Sequence, residues 1–255
     1  MSFLDLPALL LAYAAAAVLL AAFVRGFAGF GSSLLWVASL TLVLPPAEVV
    51  PMVLLFEVAA SAGLLPSVWR QVHWGSLFWI VLGTALATPF GVYLLVALPV
   101  DLIRALIALA VLSAALLIWQ GRRLRAFAGP GPALTTGVGA GLLNGAAGIG
   151  GPPVILFYFG SSTAIGVGRA SIIAYFLASD AFGTSMMATQ GLLTAPVLWR
   201  TAFFLPVVGL GIWAGNRRFL ATAPESFRLA VLALMALLGA ALLARSLIGS
   251  GSPLV

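Results

Sequence analysis

Six glycines in two sets of equal spacing carry the first chemical signal of this sequence: Gly26, Gly29 and Gly31, and then Gly145, Gly148 and Gly150, each 119 residues on. Each set interrupts a long apolar stretch, so a helix embedded in hydrocarbon must break there and expose backbone amides. Where a helix restarts after such a break its first amides lack intrahelical partners and its dipole end is positive. An anion can be held there without lysine. Arg25 stands beside the first set and supplies formal charge. Ser32 and Ser33 follow it with hydroxyl donors, and Asn144 precedes the second set with an amide donor. With Gly29, Gly31, Gly148, Gly150 and Gly151 these are the candidate anion-binding residues. Two other readings stand beside this one. The glycines can serve close helix packing, and Arg25 can snorkel to the membrane interface.

Two acids fall near the middle of apolar runs, Glu57 in 49–66 and Asp180 in 170–188. A carboxylate at such depth costs about 2.5–3.5 kcal/mol on insertion scales, so each is expected to face the bundle interior. Both are candidates for proton coupling; a structural carboxyl, neutral or paired with arginine, is the alternative. They are not repeat equivalents, because Ser61 is the residue 119 positions before Asp180. The single histidine, His73, lies in a polar turn with Arg70, Gln71 and Trp74 and reads as interfacial. Without cysteine or neighbouring acids it makes no metal site. One histidine and no cysteine leave little from which to build an enzyme, and no ATP-binding or other cofactor motif is present.

The elements that must position these residues are membrane spans. Of 255 residues 63% are hydrophobic and 7% charged, and the mean hydropathy is +1.19, which excludes a soluble domain of this length. All twelve basic residues are arginines, scattered between apolar runs rather than gathered on a face, which argues against nucleic-acid binding. Met1 to Arg25 lacks a basic leading segment and runs straight into the first glycine set, so it reads as mature protein. Six apolar runs are long enough to span, whereas the pieces around the glycine sets, especially 132–143 and 153–159, are too short to cross alone. Paired, they make re-entrant hairpins.

The repeat is visible away from the glycines as well. Gly91, Asp101 and Arg104 recur 124 residues later as Gly215, Glu225 and Arg228, and in both copies a proline, Pro99 or Pro224, precedes the acid. Such a pair reads as a helix start with an i, i+3 charge pair. The expected architecture is an all-α integral membrane protein of two inverted repeats, each a glycine-broken re-entrant helix pair followed by three transmembrane helices. Residues 1–120 form the first repeat, 121–131 a basic cytoplasmic linker with Arg122, Arg123 and Arg125, and 132–255 the second. Inversion gathers Arg70, His73, Arg122, Arg123, Arg125, Arg169, Arg217, Arg218 and Arg228 on one side, which the positive-inside rule makes cytoplasmic. Arg104 and Arg200 fall opposite, with Glu48, Asp101 and the N-terminus. An alternative with fully spanning leading helices gives eight spans and parallel repeats, and weakens that bias.

These residues resemble the TauE/SafE family of sulfite exporter-like membrane proteins over the whole chain. The resemblance rests on the two-fold repeat, on the run Gly26 to Ser33, and on the more specific run Asn144 to Pro153 with its Gly-Gly-Pro-Pro end. It implies export or uptake of a sulfur-containing anion, sulfite, sulfate-like or organosulfonate, across the bacterial inner membrane. The broken-helix repeats point to a secondary transporter, the mid-span acids make protons a candidate coupling ion, and a homodimer is allowed. A passive anion channel and a non-transport assembly factor are the competing classes.

Overall fold

The computed structural model describes residues 8–28, 31–120, 129–160, 164–219 and 236–247. Gly29, the linker arginines Arg122, Arg123 and Arg125, and Pro224, Glu225 and Arg228 lie outside the described residues. Among those described the chain is helical throughout, with no strand. In order the helices are α1 (Ala8–Ala28), α2 (Ser32–Leu40), α3 (Pro46–Val68), α4 (Trp74–Ala97), α5 (Val100–Gln120), α6 (Pro130–Ala147), α7 (Gly151–Gly160), α8 (Ile165–Thr189), α9 (Ala195–Phe219) and α10 (Ala236–Leu247). Four of them, α1, α3, α4 and α9, are long and apolar enough to cross a membrane.

Local sequence accounts for the boundaries. Pro46 opens α3 with Glu48 in its first turn, a proline where no amide partner is lost and an acid at the positive dipole end. His73, expected only as an interfacial residue, is the N-cap of α4, its ring accepting from the Ser76 amide at 3.2 Å. Both glycine sets do break helices. Gly31 precedes α2 at φ 90 and Gly148 ends α6 at φ 67, left-handed conformations that glycine adopts without a Cβ clash. The pieces after the breaks are short: α2 has 9 residues and α7 has 10, about 14 and 15 Å of helix against a hydrocarbon core of about 30 Å. The pieces before them exceed expectation. α6 runs for 18 residues and takes its first two, Pro130 and Gly131, from the segment read as linker; α1, at 21 residues, has the length of a full span.

Hydrogen bonds fix how these pieces run. The Trp36 indole donates to the Val18 carbonyl at 3.0 Å and the Tyr13 hydroxyl to the Ser39 carbonyl at 3.1 Å, so α2 folds back antiparallel on α1. α7 likewise returns to the end from which α6 starts. Tyr158 lies 3.0 Å from Ser76 in the first turn of α4, and Gly137 of α6 packs on Ile80 in the same helix.

Each leading helix also packs, running in the same direction, on the long helix of the other half. α6 lies on α4 where Gly91 meets the backbone of Leu142, Gly145 and Ala146, and Gly141 meets Thr84 and Ala87. α1 lies on α9 where Gly215 meets the backbone of Phe23 and Phe27, and Gly211 meets Leu19 and Ala22. Gly91 and Gly215 are 124 residues apart, while Phe23 and Leu142, Phe27 and Ala146, and Ala22 and Gly141 are 119 apart. The same contacts therefore occur twice. Backbones this close leave no room for a Cβ, which is the helix packing that small residues permit in lipid.

The outward faces are apolar in helical register: Phe78, Leu82, Leu86, Phe90 and Tyr93 on α4, and Trp199, Phe203, Leu210 and Trp213 on α9. That is the surface a bilayer requires. Polar contacts gather at one end, where Arg200 of α9 pairs with Glu48 of α3, and Arg104 bonds Asp101 at 3.3 Å and the Thr41 carbonyl.

Candidate functional site

Between the two broken helices, in the middle of the bundle, lies a polar network with almost no exposure. Arg25 is 0% exposed, Glu57 1%, Asn144 1% and Asp180 1%. Arg25 comes from the last turn of α1. Its Nη2 lies 3.0 Å from Glu57 Oε2 and donates to Ser61 Oγ at 2.8 Å, both on α3 and one turn apart. Ser32, the first residue of α2, donates from Oγ to Glu57 Oε1 at 2.5 Å. The break at Gly31 thus lets α1 and α2 reach the same carboxylate, the cation from one and a hydroxyl from the other. On its far side the Arg25 guanidinium lies over the Phe176 ring, 4.8 Å from its centroid.

The second half builds a matching arrangement with different chemistry. Asn144 Nδ2 donates to Asp180 Oδ1 at 3.0 Å, and Ser179 Oγ to the same oxygen at 3.2 Å. Arg25 and Asn144 are 119 residues apart, as are Ser61 and Asp180, so the Arg25–Ser61 and Asn144–Asp180 bonds are one contact made twice. Ser32 and Gly151 are likewise 119 apart, and so are Glu57 and Phe176. Where Ser32 bonds Glu57, Gly151 packs on the Phe176 ring, with no space between for a side chain. One two-fold frame therefore carries a cation and a carboxylate in its first copy, and an amide, a carboxylate and an aromatic ring in its second.

The network keeps unused polar atoms. Arg25 Nε and Nη1, Asp180 Oδ2 and Thr184 Oγ1 are buried without a hydrogen-bond partner among the described residues. Glu57 Oε2 faces Arg25 but likewise makes no hydrogen bond of good geometry. Buried polar groups left in this state mark a place where another partner fits.

Of the residues predicted from the sequence, Arg25, Ser32, Glu57, Asn144 and Asp180 meet here. Arg25 is buried inside the bundle and paired with Glu57 rather than extended to the surface at the end of α1. Ser33 is buried next to Ser32 in α2. Gly31 and Gly148 shape the breaks, while Gly150 packs against the Tyr175 hydroxyl and Asn144 and brings the second break against the network. The first-turn amides are unequal in the two halves. α2 opens with Ser32, Ser33 and Leu34, all with amide hydrogens, whereas α7 opens with Gly151, Pro152 and Pro153, and the two prolines have none. Sequence reading missed Phe176, Tyr175 and Ser179; the signal lay in the repeat offset, which sets Phe176 opposite Glu57. Ser61 was noted only as the counterpart of Asp180.

A cavity of about 650 Å³ opens at the Arg70 end of α3 and reaches Ala62 and Leu177, the chain neighbours of Ser61 and Phe176. Arg70 and Gln71 line its mouth.

The family model described as sulfite exporter TauE/SafE matches residues 14–242, which takes in every residue of this network. The chain belongs to the TauE/SafE family. A curated relative, the probable sulfite/organosulfonate exporter TauE of Cupriavidus necator, is 30% identical over 201 residues, covering 76% of this chain and 77% of the relative. No solved structure matches. The breaks, the buried arginine and its carboxylate lie within the matched residues, in a helical frame with four membrane-length apolar helices.

Proposed function

We propose that this protein is a secondary transporter that moves a small sulfur-containing anion, sulfite, sulfate-like or organosulfonate, across the bacterial inner membrane by alternating access, coupled to an ion gradient. The observation that carries the reading is the Arg25 guanidinium, fully buried at the tip of a broken helix with two nitrogens unpartnered. A cation at that depth is costly unless it serves a negative partner. The Ser32 hydroxyl reaches the same carboxylate as Arg25 and opens α2, whose first turn carries amide hydrogens, a donor set fit for a tetrahedral oxyanion. The relative's printed name, a probable sulfite/organosulfonate exporter, supplies the substrate class.

In this reading the halves are inverted repeats, residues 1–120 and 132–255, joined by the basic linker on the cytoplasmic side. The α1–α2 and α6–α7 pairs enter from opposite membrane faces as re-entrant hairpins and meet at mid-depth. Supporting it, α2 folds back on α1, α7 returns toward the start of α6, and Tyr158 and Ser76 lie at the opposite end of the bundle from Glu48 and Arg200. The cavity at Arg70 is then the cytoplasmic vestibule, with arginine at its mouth to draw anions in. Glu57 and Asp180 are the groups available for proton coupling.

The test is uptake of labelled sulfite, sulfate, thiosulfate and a short alkanesulfonate into proteoliposomes, with and without an imposed pH gradient. Gradient-driven accumulation of one anion, lost in Arg25→Gln, is the expected result. Downhill flux alone makes the protein a channel, and no flux with any anion overturns the reading. The chain has no cysteine, so single cysteines at Ser67 and Leu198 test the orientation directly. They are expected to label from opposite sides.

A further inference from the structure

We propose that Glu57 is a tethered competitor for the anion site: it occupies the Arg25 donors when no substrate is bound, and substrate binding displaces it with uptake of one proton. This rests on the reading of Arg25 as the anion's partner and says what that partner does when empty.

The geometry is that of a bound ligand. A transported oxyanion at this site needs a cation, a hydroxyl donor and a helix N-terminus. Glu57 holds the first two already, with Oε2 on Arg25 Nη2 and Oε1 on Ser32 Oγ, the residue that opens α2. A carboxylate and a sulfonate present the same chemistry to these donors, oxygens with shared negative charge, so the two cannot use Ser32 and Nη2 together. Arg25 Nε and Nη1 remain buried and unpartnered, so the guanidinium is only partly used by Glu57. A tetrahedral anion has the extra oxygens that those nitrogens can serve, which lets it win the exchange. The second half supplies the comparison, since the residue equivalent to Glu57 is Phe176 and the residue equivalent to Arg25 is the neutral Asn144. The carboxylate is present in the copy that has a cation to cover.

Charge then dictates the proton. Among the described residues the charged groups acting on the site are Arg25 from α1, Glu57 from α3 and Asp180 from α8, and Asp180 also acts on Tyr175. Of the other elements at the network, α2 brings Ser32, α4 brings Thr84 and α6 brings Asn144, all uncharged. A monoanion entering beside Arg25 while Glu57 stays ionised leaves two buried negative charges on one cation, with Asp180 close by. In a low-dielectric interior that arrangement is disfavoured. Glu57 leaves Arg25, accepts one proton and becomes a neutral acid; the new anion takes its place, and the net charge of the cluster is unchanged.

The experiment is equilibrium binding of methanesulfonate, which stays ionised throughout, to purified full-length protein at about pH 5 to 8. Calorimetry in two buffers of different ionisation enthalpy counts the protons taken up, and needs no variant. The expected result is close to one proton per anion and an affinity that falls tenfold per pH unit as pH rises. In Glu57→Gln both effects vanish and high-pH affinity exceeds that of the wild type, because the competitor is gone. In Asp180→Asn the slope persists. No proton uptake and a flat profile in the wild type overturn the exchange, as does a slope lost in Asp180→Asn and kept in Glu57→Gln. The underlying site is judged separately: Arg25→Gln that binds as the wild type removes the anion from Arg25 altogether, whereas lost binding together with a flat wild-type profile leaves the site standing and the exchange refuted.

Discussion

Removing one member of the Arg25–Glu57 pair should harm the protein more than removing both. The two side chains are 0% and 1% exposed and 3.0 Å apart. At an effective dielectric of about 20, unit charges at that distance attract by about 5.5 kcal/mol, most of which goes against the cost of desolvating them. Breaking such a pair leaves an uncompensated charge in the interior, at about 3–5 kcal/mol. Arg25→Gln strands Glu57, which keeps only the Ser32 hydroxyl; Glu57→Gln strands Arg25, which keeps Ser61 and the face of Phe176. In the double variant two neutral amides meet where the ions did, and most of the loss is recovered. The assay is thermal unfolding of all four proteins in one detergent, followed through tryptophan fluorescence. For a chain of this size, losses of that order lower Tm by roughly 6–20 °C in each single variant. The coupling energy of the cycle is expected to exceed about 2 kcal/mol, against about 0.3–0.5 for sites that do not interact. If the single-variant losses simply add in the double variant, the two groups are not a desolvated ion pair and the mid-bundle site loses its foundation.

The Glu48–Arg200 pair gives an intermediate outcome: the Glu48 side chain is 36% exposed but that of Arg200 only 7%, so Glu48→Gln is expected to destabilise less than either single change at Arg25–Glu57 in the same unfolding assay. At Gly91, against the backbone of Leu142, Gly145 and Ala146, valine should separate α4 from α6 and destabilise the protein by about 1–3 kcal/mol; unchanged stability there would contradict the close helix packing. Gly31→Ala meets no atom within 4 Å, so its cost is the left-handed backbone alone, about 1–2 kcal/mol, and anion affinity measured by calorimetry should fall as the start of α2 shifts. Gly150→Ala places a methyl 2.8 Å from the Tyr175 hydroxyl and 3.0 Å from the Asn144 Cβ, and is expected to lower transport in proteoliposomes at least tenfold with the protein still folded.

How much of this was legible depends on which physical rule governs each residue. Helix breaks were legible at Gly31 and Gly148, because a glycine set inside an apolar run leaves few other backbone solutions. The depth of Glu57 and Asp180 was legible from their place in apolar runs, and both are buried as expected. Helix length was less so. α6 runs through Gly137, Gly139, Gly141 and Gly145, which weigh against a helix by intrinsic preference, yet three of these are where it lies against α4. Packing in lipid rewards the residues that helix propensity penalises. The cap role of His73 was missed because a ring nitrogen accepting from an amide three residues on looks, in sequence, like any polar turn.

The pairing of Arg25 with Glu57 was harder, since residues 32 positions apart on different helices share no periodicity. The repeat held the answer in partial form. Arg25 and Asn144 stand at the same place in the two halves, and so do Ser61 and Asp180. An asparagine amide and an aspartate facing each other in one half imply that an arginine and a serine face each other in the other, and Arg25 does bond Ser61. Glu57 lies one helical turn before Ser61 on α3, which brings it to the same guanidinium. The repeat register, carried from glycines to side chains, therefore leads to the ion pair. It also shows why the halves cannot exchange roles. The arginine, the serine that opens α2 and the amide-bearing first turn all belong to the first copy, whereas the second has Asn144, Gly151 and two prolines in their place. On the proposed reading an anion seated between the two helix breaks leans toward the first, and exchanging Arg25 with Asn144 would move the cation beside Asp180 instead. Such a double variant, Arg25→Asn with Asn144→Arg, should fold but bind methanesulfonate at least tenfold more weakly, because the cation then faces a helix start in which Pro152 and Pro153 have no amide hydrogens. Undiminished affinity would mean that the anion is held by charge alone and that the broken helices contribute nothing to it.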